Sequence, residues 1–227
     1  MRTYIKIKGE RFYPLRHLFL LLLAFFWLIP IFWLILNSFS ASNAMSISRF
    51  FPKEYSLIQY KNLLLNTDAA NQFPRWMLNT TVIAIFNCII SSLFVLMTAY
   101  SISRMRFSGR KLFMNLSMIL GLFPGFLSMI AIYFILKTFN MTNSHIGMIM
   151  VYSGSSALGY LIAKGFFDTV PQSMSEAAMI DGANQNTIFW RIILPTSKPI
   201  IVYTVISAFL APWMDFILAK IMLNSGI

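Results

Sequence analysis

Long apolar stretches separated by shorter polar segments dominate the pattern along the chain. Five of them meet or approach the roughly 20 apolar residues that a helix needs to cross a bilayer. None contains Lys or Arg, and basic residues flank them, which is typical of spans with interfacial anchors. The predicted spans are residues 18–36, 76–103, 112–136, 146–163 and 199–219. We therefore expect an all-α fold, a polytopic transmembrane helical bundle with about five spans.

The distribution of basic residues between the loops predicts the orientation. With the N-terminus inside the cell, the cytoplasmic segments hold 12 of the 18 Lys and Arg residues and the outer segments hold 6. Since Lys and Arg are retained on the cytoplasmic side, residues 1–17 are predicted to be a cytoplasmic N-terminal segment. Residues 18–227 then form one transmembrane domain, and residues 164–198 form a long cytoplasmic loop within it, called here the 164–198 loop.

The first apolar stretch has a second interpretation as a cleaved signal peptide. Basic residues precede it, and the small residues Ser38, Ser40 and Ala41 follow it. Its 19 residues exceed the roughly 7 to 15 residues of a signal-peptide apolar region. A retained first span is therefore the favoured interpretation.

The 164–198 loop contains signals for two short helices. The first is predicted to start where Ser173 and Glu176 have the spacing of a capping box. It is predicted to stop at Gly182, because glycine accepts the left-handed conformation common at helix ends. The second helix is predicted over Thr187–Leu194, closed by Pro195. Its apolar face consists of Ile188, Phe189, Ile192 and Ile193.

Physical reasoning leaves two interpretations of this elbow of two helices open. In the first, it is an amphipathic linker that lies on the bilayer surface. In the second, it is an element that docks onto another protein. The spacing of its residues fits the linker at least as well as the docking element, so it does not choose between them.

The residues of the elbow resemble the EAA loop of bacterial ABC importer permeases. That pattern reads E-A-A, three residues, G, nine residues and I-x-L-P, and this chain fills every fixed position. In that family the loop is a coupling helix that docks into a cytoplasmic ATPase, so that closure of the ATPases rocks the transmembrane helices. Glu176 and Gly182 would be central to the contact. The resemblance implies an ATPase-coupling site made of Glu176, Ala177, Ala178, Asp181, Gly182, Ile192, Leu194 and Pro195.

The resemblance extends into the predicted spans. Short motifs there are similar to the carbohydrate-uptake branch, and most of all to the maltose/maltodextrin permease half: Asn79-Thr80, Ala99-Tyr100 with Arg104, Phe123-Pro124, and Trp213 with Asp215. This likeness implies a permease subunit of an ATP-driven sugar importer in the bacterial cell membrane, with oligosaccharides such as maltodextrins as cargo. The implied partners are a second permease subunit, two ATPase subunits, an extracytoplasmic sugar-binding protein and membrane lipid. The family normally has a sixth span, and we expect it to be missing because the chain ends at Ile227.

Polar side chains inside the predicted spans are candidates for a substrate pathway. The asparagines Asn79, Asn87 and Asn115 need partners in lipid, either on a neighbouring helix or along a wet path that sugar hydroxyls use. Ser153 and Ser156 lie in the fourth span, where small residues also let helices approach closely. Packing is the favoured interpretation of the two serines, and sugar contact is the alternative.

Two other features of the spans have structural explanations. Pro124 is expected to bend the third span, because proline removes a helix hydrogen bond and clashes with the preceding turn. Asp215 is predicted about 24 Å along the fifth helix from Pro199, near the outer interface. Trp213 beside it suits an aromatic belt at that interface.

Composition and charge exclude a soluble nucleic-acid binder. Of the 227 residues, 58% are hydrophobic and 11% are charged, whereas a soluble domain carries roughly 25% charged residues. The net charge of +11 is spread between the spans instead of lying on one water-exposed face. No nucleic-acid partner is therefore expected.

Catalysis and metal binding find no candidate residues. The seven acidic residues form no paired-carboxylate site, and His17 and His145 stand alone near opposite membrane faces. No GxxxxGK[ST] phosphate loop occurs, so any ATP must be bound by another chain. We expect a transporter subunit instead of an enzyme, with no catalytic residue, metal or cofactor. The alternative function is a membrane scaffold or channel-like protein without ATPase coupling.

Overall fold

Helices make up most of the part of the chain that the structure describes. The computed structural model describes four ranges of the chain, residues 13–41, 50–65, 72–155 and 159–223. Within these ranges, β-pairing is limited to one isolated antiparallel bridge. The chain divides into two compact units, Met1–Pro74 and Arg75–Ile227.

The first unit contains a long apolar helix and a short one. Helix α1, Tyr13–Ser38, has 26 residues and is about 39 Å long at 1.5 Å per residue. It is long and apolar enough to cross a bilayer. It begins inside the predicted N-terminal segment 1–17, so the helix starts several residues before its apolar run does. Helix α2, Ile58–Leu65, follows.

The segment that follows α1 is tied to the start of α2. Ser40 and Tyr55 form the antiparallel bridge. The Tyr60 hydroxyl donates to Ser38 Oγ at 2.7 Å, and its ring centroid lies 5.5 Å from that of Phe39. These contacts give the first unit a small folded end beside its apolar helix.

Helix α3, Phe73–Arg104, is the central element of the second unit. Its 32 residues cover the predicted span 76–103 in one unbroken helix, and it is also long and apolar enough to cross a bilayer. Its buried positions recur at helical spacing along one side: Ile83, Ala84, Asn87, Ser91, Ser92, Val95, Leu96, Ala99, Tyr100 and Ile102. The remaining side presents exposed apolar residues, as expected of a helix in a membrane.

The third predicted span is broken into two helices. Helices α4, Arg110–Gly121, and α5, Gly125–Thr138, meet at an angle of 103°. The bend expected at Pro124 is therefore confirmed, and it is a complete break. Pro124 directly precedes α5 with φ −58°, and it has no N–H with which to continue α4.

The fourth predicted span also divides, and its helices run into the 164–198 loop. Helices α6, His145–Gly154, and α7, Gly159–Thr169, replace the single predicted segment 146–163. The loop itself holds three short helices and a π-helical turn: α8 Gln172–Ile180, α9 Gln185–Ile188, the π-helical turn Phe189–Ile193, and α10 Leu194–Thr196.

The predicted end of the fifth span is wrong. Helix α11, Lys198–Met214, stops before the predicted end at residue 219, and the short helix α12, Ile217–Met222, follows. Asp215 has an extended backbone, and its Oδ1 accepts a hydrogen bond from the Leu218 N–H at 3.0 Å. The Asp215 carboxylate thus satisfies a free N–H in the first turn of the next helix.

Two apolar clusters hold the second unit together. One joins the end of α3 to α7 and to the 164–198 loop. The other joins α3, α5, α6 and α12: Ile83, Leu136, Met148, Tyr152, Leu218 and Met222. Counting each of three bent helix pairs as one span gives up to five candidate spans, by length and composition.

The start of α6 depends on a glycine. A Cβ on Gly147 would lie 2.3 Å from the carbonyl oxygen of Met141, whereas a Cβ on Gly154 would meet nothing within 4 Å. We expect Gly147→Ala to lower the unfolding free energy by about 1 to 3 kcal/mol, because rigid backbone must move. Gly154→Ala, in the same helix, is the control. Unfolding of the two purified variants in detergent measures this difference, and equal stabilities would contradict the assigned contact.

Candidate functional site

Helix α8 carries the E-A-A residues of the 164–198 loop. It begins at Gln172, directly after Pro171, which has φ −57° and an extended ψ. The predicted capping box is wrong, because Ser173 already lies within the helix and no side chain caps its start. Proline disfavours helical backbone in the residue before it and suits a helix start itself. Ser173 and Glu176 are therefore both helical residues.

The end of α8 is fixed by a left-handed glycine. Gly182 has φ +81°. Its N–H donates to the Met179 carbonyl at 3.0 Å, and the Ala183 N–H donates to the Ala178 carbonyl at 2.9 Å. This pair of bonds is the Schellman motif. The predicted stop at Gly182 is confirmed.

Helix α8 has one buried contact and a large uncovered surface. Ala178 is 8% exposed and belongs to the apolar cluster at the end of α3. Ile180 is 87% exposed and Met179 is 46% exposed. The remaining predicted coupling residues of this helix and its end are also exposed: Glu176, Ala177, Asp181 and Gly182.

The second leg of the loop is a continuous helical run. Asn184 starts it, with Oδ1 accepting from the Thr187 N–H at 2.8 Å. The prediction of a helix over Thr187–Leu194 closed by Pro195 is wrong at both ends, because the run begins at Gln185 and continues beyond Pro195. Pro195 lies in the first positions of α10, where a missing N–H is tolerated.

The predicted apolar face of this second leg is confirmed. Three of its members are fully or almost fully buried, and the fourth packs against the same cluster: Ile188, Phe189, Ile193 and Ile192. Leu194 also packs there, and Pro195 is exposed. The run then meets α11 at an angle of 88°. Of the predicted coupling residues, those in α8 are mostly exposed and those in the second leg mostly face the core.

The last turn of α3 contacts the loop on both sides of α8. The Tyr100 hydroxyl donates to Gln185 Oε1 at 2.7 Å, where the second leg begins. The Arg104 guanidinium donates to the carbonyls of Phe167 (2.5 Å) and Val170, where α7 ends. Sequence reasoning placed Tyr100 and Arg104 in a family motif but not in the site. The sequence feature that could have drawn attention to Arg104 is its position as a basic residue at the end of a predicted span.

The Asn87 side chain is buried and hydrogen-bonds to two neighbouring helices. It is 1% exposed. Its Nδ2 donates to the Ala208 carbonyl at 2.6 Å, and its Oδ1 accepts from Ser153 Oγ at 3.3 Å. Ala208 lies four residues before Pro212, which has no N–H to give it. Asn87 therefore supplies the hydrogen bond that Pro212 removes from α11, as neighbouring helices do for prolines in membranes.

The other predicted pathway residues do not converge on one point. Asn79 is half-buried, and its Nδ2 is buried without a partner among the described residues. Asn115 is exposed on α4. Ser156 lies outside the described residues. Among the predicted pathway residues that the structure describes, Asn87 and Ser153 are the pair that hydrogen-bond to each other.

A cavity of about 270 Å³ lies between α3, α4, α6 and α7. Its lining is mainly apolar and includes four residues that carry hydroxyl groups: Thr98, Ser117, Ser153 and Tyr160. The Tyr160 hydroxyl is buried and has no hydrogen-bond partner in the described part of the chain. Among the same residues, no group of three or more His, Cys, Asp or Glu side chains is placed to hold a metal ion.

A match to a protein family decides what kind of protein this is. The family model described as the inner membrane component of binding-protein-dependent transport systems matches residues 91–227. The match covers more than half of the chain. This chain belongs to that family. The permease is therefore a transporter subunit and not an enzyme, as predicted.

Curated relatives of the permease are sugar transport proteins. It is 35% identical over 189 residues to the galactooligosaccharides transport system permease protein GanQ of Bacillus subtilis, covering 83% of this chain and 66% of that one. It is 31% identical to the maltodextrin permease MdxG of the same organism, covering 92% and 74%. It is 28% identical to the maltodextrin permease MalD of Streptococcus pneumoniae, covering 99% and 79%. The predicted carbohydrate-uptake ABC permease is confirmed.

A solved structure confirms the fold. The permease resembles a chain in the crystal structure of a bacterial ABC transporter that imports the acidic polysaccharide alginate, with a TM-score of 0.79 and 23% identity. The likeness covers 96% of this chain and 76% of that one. The all-α permease fold is therefore established. The family match to an inner membrane component, together with the apolar helices, makes the permease a multi-pass inner-membrane protein.

Proposed function

We propose that the permease is the ATP-coupled membrane subunit of an oligosaccharide importer, with α8 docking into an ATPase in the cytoplasm. The importer contains a second permease subunit, two ATPase subunits and an extracytoplasmic sugar-binding protein, and it lies in membrane lipid. The N-terminal segment and the 164–198 loop face the cytoplasm in this proposal, in agreement with the excess of basic residues there.

The uncovered surface of α8 is the observation that carries the proposal. Ile180 and Met179 are exposed apolar side chains in a loop outside the predicted spans, and the acidic residue Glu176 lies beside them. A rigid helix end at Gly182 holds this surface in one shape. Apolar residues with a charged neighbour are typical of a protein contact, in which burial gives affinity and charge gives specificity.

The cargo proposal rests on the relatives and on the polar groups inside the unit. The relatives are named as transporters of galactooligosaccharides and of maltodextrin, so a neutral oligosaccharide is the expected class. Ser153 and Tyr160 line the 270 Å³ cavity, and the Asn79 amide has an unused donor. These three residues are our pathway candidates, whereas Asn87 is engaged in holding helices together and Asn115 is exposed.

Uptake of labelled maltotriose and of a labelled galactotriose by cells expressing the importer tests the proposed class of cargo. Uptake of neither sugar would contradict it.

Reversing the charge of Glu176 is expected to weaken ATPase binding. We expect Glu176→Lys to lower capture of the ATPase by the affinity-purified permease at least about tenfold, since a mismatched charge at a contact costs more than about 1.4 kcal/mol. Glu54→Lys makes the same charge change at an exposed residue of the first unit and is expected to leave capture unchanged. A permease that purifies without any ATPase would contradict coupling and favour a scaffold. Equal capture by both variants would remove Glu176 from the contact.

A further inference from the structure

The last turn of α3 is linked by polar contacts to the segments of the 164–198 loop on both sides of α8. The first link is Arg104, whose Nη2 donates to the carbonyls of Phe167 (2.5 Å) and Val170. The last carbonyls of a helix have no partner within it, and a cation at that end also interacts favourably with the helix dipole. Arg104 therefore closes the end of α7 from a neighbouring helix.

The second link lies on the same turn, beside the first. Ser103 Oγ donates to Asp168 Oδ1 at 2.6 Å, and Lys164 Nζ contacts Asp168 Oδ2 at 2.6 Å. Bonds to a charged acceptor are shorter and stronger than neutral ones. Asp168 is thus held between its own helix and α3, one residue after the Phe167 carbonyl that Arg104 caps.

The third link reaches the other leg of the loop. The Tyr100 hydroxyl donates to Gln185 Oε1 at 2.7 Å. The Tyr100 ring lies 4.9 Å from the ring of Phe189, centroid to centroid, at an interplanar angle of 45°. Because Tyr100 and Arg104 are four residues apart, they lie on the same face of α3. That face therefore contacts the segment before α8 and the segment after it.

An apolar core lies beneath these polar links. Ile102 of α3, Phe167 of α7 and Ile188 of α9 are each 2% exposed or less and belong to one cluster, together with Ala178 of α8. Close-packed interiors transmit displacement because they have little free space to absorb it. A movement of α8 would thus be passed to α3 through both kinds of contact.

We propose that the last turn of α3 is the clamp that positions α8 and carries its movement into the membrane, with Arg104 and Tyr100 as its positioning residues. This inference rests on the proposed function, in which α8 docks onto an ATPase. The clamp fixes the two legs of the loop to one helix. Neither residue touches the ATPase, and both act through the loop.

Hydrogen exchange on the full-length permease in detergent tests the clamp directly. For Arg104→Met we expect amide exchange across residues 167–182 to become at least about tenfold faster, because a charge-assisted contact no longer limits local opening. Exchange of residues 83–96 in α3 should stay unchanged, which a general loss of stability would not allow. Arg104→Lys keeps a cation with N–H donors of its own, so it should restore part of the protection. Arg106→Met, two residues further on at an exposed position, is the matched control.

A second variant separates the two legs. Tyr100→Phe removes only the hydroxyl bond to Gln185 and keeps the ring against Phe189, so exchange should rise at residues 185–188 and not at residues 167–170. Unchanged exchange in both Arg104→Met and Tyr100→Phe, or a uniform rise along the whole chain, would overturn the clamp.

Measurement of ATPase affinity distinguishes failure of the clamp from failure of the proposed function. If the clamp positions α8, Arg104→Met should weaken binding of the ATPase about tenfold, since a loosened loop must be ordered on binding, and Arg106→Met should not. If wild-type permease binds no ATPase, the proposed function is wrong, whatever exchange shows. If wild-type and Arg104→Met bind the ATPase equally well, the coupling role of the clamp is wrong and the proposed function is retained.

Discussion

Gly182→Val is expected to abolish capture of the ATPase by the permease. A Cβ at this position would meet nothing within 4 Å, so the substitution causes no clash, but the backbone has φ +81°. A residue other than glycine held in such a region costs about 1 to 3 kcal/mol, and a β-branched one is a clear outlier there. A helix of nine residues such as α8 is not stable by itself. Its end should therefore unwind and disperse the docking surface.

Asparagine at the same position provides the control. Asn enters the left-handed region more readily than other residues with a side chain, so Gly182→Asn should retain most of the ATPase capture. The measurement is co-purification of the ATPase with tagged permease in mild detergent, with the yield of permease compared between variants. Equal loss in Gly182→Asn and Gly182→Val would contradict a backbone cause. Full capture by Gly182→Val would show that the Schellman end is not needed for docking.

Asn87→Leu is expected to destabilise the permease by about 1 to 3 kcal/mol, the cost of leaving a buried carbonyl without a donor. The amide of Asn87 donates to Ala208, whose helix hydrogen bond is removed by Pro212. Leucine has a similar shape and suits an apolar interior. The loss therefore reports mainly the hydrogen bond. Reversible unfolding of purified permease in detergent measures it, and Asn186→Leu, at an exposed position of α9, should change stability by less than about 0.5 kcal/mol.

A double-mutant cycle with Pro212→Ala tests the assigned cause. Alanine at position 212 can donate its N–H to the Ala208 carbonyl, which then no longer needs Asn87. Asn87→Leu should therefore cost clearly less in the Pro212→Ala background than in the wild type, with an interaction energy of about 0.5 to 3 kcal/mol. The same cost in both backgrounds would contradict replacement of the missing bond by Asn87.

Local signals predicted much of the fold and part of the candidate site. The bend at Pro124 and the stop at Gly182 were predicted correctly, because proline and glycine act within a few residues of themselves. The buried face of the second leg followed from helical spacing alone. The capping box at Ser173 failed because Pro171, two residues earlier, started the helix first. Two signals for a helix start can lie within one helical turn of each other. The exact first residue of a helix is therefore its least predictable feature.

Pathway residues illustrate a different kind of failure. Sequence reasoning gave Asn87 and Asn115 the same status, since both are polar residues in apolar stretches. The structure buries Asn87 against α6 and α11 and leaves Asn115 exposed. Periodicity does not reveal which carbonyl on another helix lacks a partner. That depends on where Pro212 lies in the packed bundle.

The sequence by itself determined that this is a membrane protein with apolar spans and with more basic residues on one set of loops than on the other. These properties follow from composition and spacing, which act over short distances along the chain. The permease family was indicated by the resemblance of residues 176–195 to the E-A-A loop. Only the tertiary structure decided that Asn87 bonds to a carbonyl 121 residues away and that Arg104 caps a helix 63 residues away. Such contacts bring together groups that are unsatisfied within their own helices, and packing of the whole unit decides which of those groups meet.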